Sequence, residues 1–215
     1  MLAVILSLFA ILSVLLLDEF LWRKKIIHGE LKRKLVHIAV TSFVAFWPWI
    51  MGWKAIQLIG IAMILVLLVN RQVKVLHYLG GIRQQTYGDV FLALSITTTA
   101  LLTNEKIFFA VAMLHIALAD GLAAIIGTKF GRKWSYKVFG QTKTVLGSMT
   151  FWIVSIFILG AGLLAAHSTI TFNYYAALLI TLPPILALTE NLAVWGTDNL
   201  AIPIVVIIAL QLASA

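Results

Sequence analysis

The chain has 215 residues, of which 62% are hydrophobic and only 11% charged, with a mean hydropathy of +1.04. Soluble domains carry roughly 25% charged residues, so this much apolar surface excludes an ordinary water-soluble fold and calls for lipid as solvent. The absence of cysteine excludes disulfides, thiolate nucleophiles and Cys-ligated metals, and the net charge of +8 lies beside apolar spans, which favours anionic lipid or a nucleotide over nucleic acid as partner.

Apolar stretches of about 17 to 25 residues, the length that crosses a bilayer, recur along the chain. They predict an all-α fold, a polytopic bundle of about eight helices (seven to nine) in one membrane domain over 1–215. The predicted spans are 1–21, 35–52, 54–70, 88–104, 106–127, 145–166, 172–190 and 200–214. The first is read as a retained helix and not a signal peptide, because its basic cluster follows the apolar run and no Ala-x-Ala-like site is present.

Lys and Arg mark alternate loops. Arg23, Lys24, Lys25, Lys32, Arg33 and Lys34 fall in the loop over about 22–34. Arg71, Lys74 and Arg83 fall in that over 71–87, and Lys129, Arg132, Lys133, Lys137 and Lys143 in that over 128–144. The opposite connections keep only Lys54 and Lys106. By the positive-inside rule these loops, with 191–199, are expected in the cytoplasm and the N-terminus outside. The expected location is a prokaryotic inner membrane.

Acidic residues are few enough to weigh singly. Asp18 and Glu19 pair naturally with Arg23 or Lys24, and Glu30 with Lys34 at i,i+4. Asp120 lies inside the fifth span, where a carboxylate is costly and marks a functional site by default. Ala124, Gly127 and Gly131 continue its helical face with small residues, which also suits plain helix packing. The basic segment 127–148 is rich in glycine and hydroxyls, and Lys143-Thr144 stands at the start of the sixth span, where backbone amides and the helix dipole favour an anion. It has no Walker A spacing, and a basic juxtamembrane loop also serves topology alone. Glu190, Asn191, Asp198 and Asn199 cluster in the next connection. Their oxygens suit Mg²⁺ or a ribose, or simply cap the last helix. Pro183-Pro184 break or kink the seventh span. Arg33 and His37 share a helical face, and Asp89 opens the fourth span. His28, His77, His115 and His167 share no metal-ligand spacing. All functional candidates fall on the cytoplasmic side, which points to an active site with a cytosolic substrate.

In order, Arg33-Lys34-x-x-His37, Ala119-Asp120-x-x-Ala123-x-x-x-Gly127-x-x-x-Gly131, Lys143-Thr144-x-x-Gly147-Ser148 and Glu190-x(7)-Asp198-Asn199-x-x-x-Pro203 resemble the dolichol kinase, phytol kinase and CTP-dependent diacylglycerol kinase family. The resemblance runs from about residue 30 to 205. The Asp120-to-Ser148 block also resembles phosphatidate cytidylyltransferases, but their C-terminal His-Gly-Gly and Asp-Arg run is missing. Many relatives carry Glu before the Gly-Ser pair, where this chain has Leu146.

The resemblance implies phosphoryl transfer from CTP to a lipid alcohol, whether polyprenol, a phytol-like alcohol or diacylglycerol. It implies Mg²⁺ on Asp120 and Asp198 with Glu190 or Asp89 assisting. Lys129, Arg132, Lys133 and Lys143 are implied at the triphosphate, with Thr144, Gly147, Ser148 and Asn199 completing the nucleotide site. A carboxylate or His37 would take the alcohol proton. The competing readings are CDP-lipid synthesis and a transporter or flippase using Asp120 as an ion site.

Overall fold

The structure is a computed structural model that describes residues 2–23, 29–73, 87–166 and 169–214. The described chain forms α1 (Leu2–Arg23), α2 (Gly29–Ala45), a single turn α3 (Trp47–Ile50), α4 (Trp53–Val73), α5 (Gly88–Leu102) and α6 (Lys106–Leu114). A π-helical turn, His115–Asp120, joins α6 to α7 (Gly121–Phe130) without a break. A short hairpin of β1 (Ser135–Val138) and β2 (Gln141–Thr144) leads into α8 (Val145–Ala165), α9 (Phe172–Leu192) and α10 (Asp198–Ser214). The fold is an all-helical bundle with this hairpin added at one end.

Four segments, Trp53–Gln72, Lys106–Phe130, Val145–Ala165 and Phe172–Leu192, are long and apolar enough to cross a membrane. Seven of the predicted spans coincide with continuous helical segments within a few residues, whereas that over 35–52 is met by α2, which starts at Gly29 and ends at Ala45, and the separate turn α3. Three expected loops are shorter than the sequence implied. α1 runs to Arg23 and α2 starts at Gly29, α7 continues to Phe130, and only Ala193–Thr197 separate α9 from α10. Charged residues continue a helix readily at its end, so a polar boundary in sequence is not a helix boundary. Most of the expected 71–87 loop and residues 24–28, with His28 and His77, lie outside the described residues, as does His167. The side chains of Asp18, Glu19 and Glu30 do as well, so their expected pairings are not described.

The bundle is built around the α6–π–α7 rod. Phe108, Phe109, Met113, Ile116 and Ala119 are fully buried on it, packed in one core with Trp47, Phe151, Leu159, Ile202 and Val206. α2, α8 and α10 pack around the rod, while α4 covers α5 and α9 covers α8 and α10. Outward-facing Leu, Ile and Phe side chains on α1, α4, α8 and α9 are strongly exposed, as lipid-facing helices require. Close helix approach rests on small residues: a Cβ at Gly60 would meet Thr97 Oγ1 at 2.2 Å, and one at Gly162 would meet Val111 Cγ2 at 2.2 Å. Pro183 and Pro184 leave α9 continuous to Leu192.

The hairpin is set by its turn. Tyr136 pairs with Lys143 and Val138 with Gln141, so Phe139-Gly140 is a two-residue loop. Both take positive φ, 47° and 81°, the backbone that matches the twist of a tight hairpin. Alternation then puts Tyr136 and Val138 inward and Ser135 and Lys137 outward.

Candidate functional site

Seven elements, α7 among them, converge on one cavity of about 230 Å³ at the hairpin end of the bundle. Arg33 and Lys34 come from α2, Asp120 from the π turn, Lys143 and Thr144 from β2, Gly147 and Ser148 from α8, Glu190 from α9 and Asp198 from α10. Residues spaced across 165 positions of sequence thus line a single space.

Asp120 is the deepest charge. The π turn inserts one extra residue into the rod, a device found often at functional sites, and Asp120 closes it. Its Oδ2 lies 2.7 Å from Lys34 Nζ, with the two side chains 6% and 11% exposed. Lys34, from the first turns of α2, is therefore the partner that an intramembrane carboxylate demands. His37 sits one turn further along α2. Its Nε2 is 3.1 Å from the Ile116 carbonyl oxygen, so that nitrogen carries the proton, and the ring does not line the cavity.

Lys143 makes the second buried pair. Its ammonium donates to the Glu190 carboxylate and, at 2.9 Å, to the Glu190 backbone carbonyl. The hairpin thereby crosses to the end of α9. A second tether lies beside it: the Tyr136 hydroxyl bonds Ser148 Oγ at 2.7 Å and donates to Asn191 Oδ1. Asn191 is held in turn by its Nδ2 donating to the Ala187 carbonyl. Thr144 caps α8, its Oγ1 accepting from the Gly147 amide at 3.0 Å.

The small face below Asp120 receives this cap. A Cβ at Gly127, Gly131 or Gly147 would stand 2.6, 2.7 or 2.8 Å from Thr144 Oγ1. Side chains at these positions would push β2 away from α7. The glycines are thus a seat for the strand that carries Lys143.

Asp198 enters the cavity from the first turn of α10, its Oδ1 accepting from the Asn199 amide at 3.0 Å. Among the described residues it has no salt bridge. Asn199 faces away: its buried Nδ2 donates to the Gly88 carbonyl at 2.8 Å. Asp89 also lies elsewhere, bonded at 2.7 Å to Arg71, which stacks over Tyr87 at 4.2 Å. The Tyr87 amide donates to the Trp195 carbonyl, and a Cβ on Gly196 would strike the Gly88 backbone at 2.5 Å. These contacts brace the start of α5 against the α9–α10 turn, so Asp89 and Asn199 support the floor near Asp198 and do not line the cavity. Lys129, Arg132 and Lys133 are exposed outside it. Arg132 Nε donates to the Thr128 carbonyl at 3.0 Å, and Lys129 lies 5.2 Å from the Phe130 ring.

Lys34, Tyr136, Gln141 and Thr142 are the site residues that the sequence left without a role in the site, and Asn191, expected as an oxygen donor there, instead anchors the hairpin through Tyr136. Lys34 was within reach, since Asp120 needed a buried cation and α2 offers a helical run of them. The hairpin also had a signal, the β-favouring Ser-Tyr-Lys-Val and Gln-Thr-Lys-Thr around Phe-Gly.

Among the described residues no three Asp, Glu or His side chains form a ready-made metal cage. Asp120, Glu190 and Asp198 nevertheless line one cavity. Magnesium takes one or two carboxylates, keeps waters and shares phosphate oxygens, so this donor set fits it.

Two curated proteins resemble the chain. It is 30% identical to phytol kinase of Synechocystis over 200 residues, covering 89% of this chain and 83% of that protein. It is 32% identical to dolichol kinase of Saccharomyces cerevisiae over 116 residues, 53% of this chain and 20% of that larger protein. No family model and no solved structure matches.

Proposed function

The chain belongs to the phytol and dolichol kinase family, and from that premise we propose that it transfers a phosphoryl group from CTP to the hydroxyl of a membrane lipid alcohol. The observation that carries this reading is the convergence of Lys34–Asp120, Lys143–Glu190 and Asp198 on one cavity roofed by a glycine-seated strand. Phosphoryl transfer needs positioning and neutralisation of charge on phosphate oxygens more than covalent chemistry. At about 230 Å³ the cavity is below the roughly 300–1,000 Å³ of a drug-sized ligand site, so it takes the phosphates while the base and the lipid tail lie outside.

Asp120 and Asp198 would hold Mg²⁺, with Glu190 beside them, and the ion would supply countercharge to the β- and γ-phosphates. Lys143, Lys34 and Arg33 contact phosphate oxygens. The start of α8, where Gly147 and Ser148 line the cavity, turns the positive end of its helix dipole toward the phosphates. Lys129, Arg132 and Lys133, outside the cavity, attract the nucleotide and meet its outer phosphate or sugar. A carboxylate of this cavity accepts the alcohol proton as the alcohol oxygen bonds the γ-phosphorus. The bond from that phosphorus to the β–γ bridging oxygen breaks, and CDP leaves. His37, turned to the Ile116 carbonyl, orients the rod behind Asp120. The bundle spans a prokaryotic inner membrane eight times, with the cavity facing the cytoplasm, where the basic loops lie.

The test is purified protein in vesicles, offered a panel of polyprenol, phytol and diacylglycerol with CTP or ATP, and the products weighed. A phosphorylated lipid with release of CDP supports the proposal. Pyrophosphate release with a CDP-lipid product replaces it with cytidylyl transfer, and turnover of no nucleotide overturns it.

A further inference from the structure

Among the described residues only two non-glycine positions have positive φ, Phe139 at 47° and Trp195 at 55°. Each is followed by a glycine that also has positive φ, Gly140 at 81° and Gly196 at 90°. The same aromatic-glycine turn therefore occurs twice, once at the hairpin tip and once between α9 and α10. Bulky residues are disfavoured in this region of backbone, where glycine and asparagine sit more easily. Neither ring repays the strain by packing, since Phe139 is 76% and Trp195 65% exposed. The turns themselves account for the backbone, but not for a bulky, exposed ring at a position that glycine or asparagine fills more easily.

Both turns flank cavity-lining residues along the chain. Phe139 is two residues from cavity-lining Gln141, and Trp195 lies between Glu190 and Asp198. Lys143–Glu190 and Tyr136–Asn191 tie the two turns to the same end of the bundle. Trp134, at the base of the hairpin, is 66% exposed, and Phe130, at the end of α7, is 64% exposed. The charge beside the hairpin rings is of one sign: Lys129, Arg132, Lys133 and Lys137 are exposed, and residues 121–189 contain no Asp or Glu. Around the hairpin, rings with adjacent cations match the head-group layer of an anionic bilayer, where rings sit at the interface and cations meet lipid phosphate, while Trp195, between Glu190 and Asp198, contributes its ring alone.

We propose that the Phe139-Gly140 and Trp195-Gly196 turns are a pair of interfacial anchors that hold the cavity rim in the head-group layer of an anionic membrane. The tight turns aim each ring outward from a fixed backbone. The anchors set the depth of β2 relative to the lipid, and with it the depth of Lys143. This inference stands on the turns and charges alone and needs no assumption about the reaction.

The chain has no cysteine, so F139C, W195C and I180C each give one site for an environment-sensitive fluorophore. Ile180, 74% exposed and near the middle of α9, calibrates the bilayer interior. The labelled full-length protein is reconstituted in phosphatidylcholine vesicles with or without phosphatidylglycerol. Quenching is compared for iodide in water and for lipids with a nitroxide at the head group or along the acyl chain. Labels at 139 and 195 are expected to be quenched most by the head-group nitroxide, more strongly with phosphatidylglycerol, and weakly by iodide. The label at 180 answers to the acyl-chain nitroxide. Free iodide quenching at 139 and 195, or indifference to phosphatidylglycerol, overturns the proposal. A second measurement uses F139N and W195N, which relax the backbone. Their thermal midpoints are expected at or above wild type in detergent and below it in anionic vesicles. Midpoints above wild type in both media also overturn the proposal.

Discussion

Lys34 and Asp120 offer the sharpest separation of a structural ion pair from a functional one. The two side chains are almost wholly buried and their charged atoms are 2.7 Å apart. Removing one member of such a pair leaves an uncompensated buried charge, which costs about 3–5 kcal/mol, or roughly two to four powers of ten in the folding equilibrium. K34M and D120N should each fall in that range in a mixed-micelle unfolding titration. K34M/D120N removes both charges, so its cost should fall short of the sum by about 2–3 kcal/mol, the upper part of the range for residues in contact. Stability is thus partly restored. Activity is not, because on the proposed mechanism Asp120 also serves the metal and Lys34 the phosphates. D120N and the double variant should both lose at least about 10²-fold in turnover, the scale for deleting one preorganised electrostatic group. Additive stability losses would refute the pairing, and a double variant that regains activity along with stability would reduce Asp120 to a structural residue.

Other outcomes follow from the hairpin and its seat. A Cβ at Gly147 would lie 2.8 Å from Thr144 Oγ1 and 3.1 Å from the Ala123 carbonyl oxygen, so G147A should cost about 1–3 kcal/mol by overpacking. In the same helix a Cβ at Gly160 meets only Leu179 Cδ1 at 4.0 Å, so G160A should be neutral or gain up to about 1 kcal/mol in thermal unfolding. Y136F loses the hydroxyl shared with Ser148 and Asn191, worth about 1 kcal/mol per bond, and should raise the KM for nucleotide several-fold while leaving that for the lipid unchanged. D89N breaks the partly buried Arg71 pair outside the cavity, so it should keep turnover within about two-fold of wild type while costing about 1.5–3 kcal/mol in thermal unfolding, the scale of a charged hydrogen bond.

The helices were legible in the sequence because hydropathy reports what lipid demands of the backbone, and that demand is local. The eight predicted spans needed only a window of apolar residues. Asp120 was legible for the same reason, as an intramembrane carboxylate is expensive wherever it sits. What was hidden is pairwise. Nothing along α2 distinguishes Lys34, which reaches Asp120 across 86 positions, from Arg33 next to it. Asp89 and Asp198 each open a helix and look alike in sequence, yet one turns to Arg71 and the other to the cavity. The hairpin was read as loop because its strands are four residues long, and the Phe at its turn lacks the Asn-Gly signal of such hairpins.

The resting site has a charge arrangement that the proposed reaction explains. Its cations do not wait bare for phosphate: Lys34 holds Asp120, and Lys143 holds Glu190. Bare ammonium groups at this depth would carry a desolvation cost that the fold has no other group to offset. Paired with carboxylates, they are nearly neutral to the surrounding helices. On the proposed reaction a nucleotide with Mg²⁺ would bring charges of both signs, so that Lys34 and Lys143 would turn to phosphate oxygens and Asp120 and Glu190 would hold the metal. Buried charge then changes partners without gaining in number. A cavity lined only by lysines would bind phosphate but would destabilise the empty bundle, and one lined only by carboxylates would repel it. The alternation of sign around this cavity is what lets one set of side chains serve both the empty bundle and the loaded enzyme.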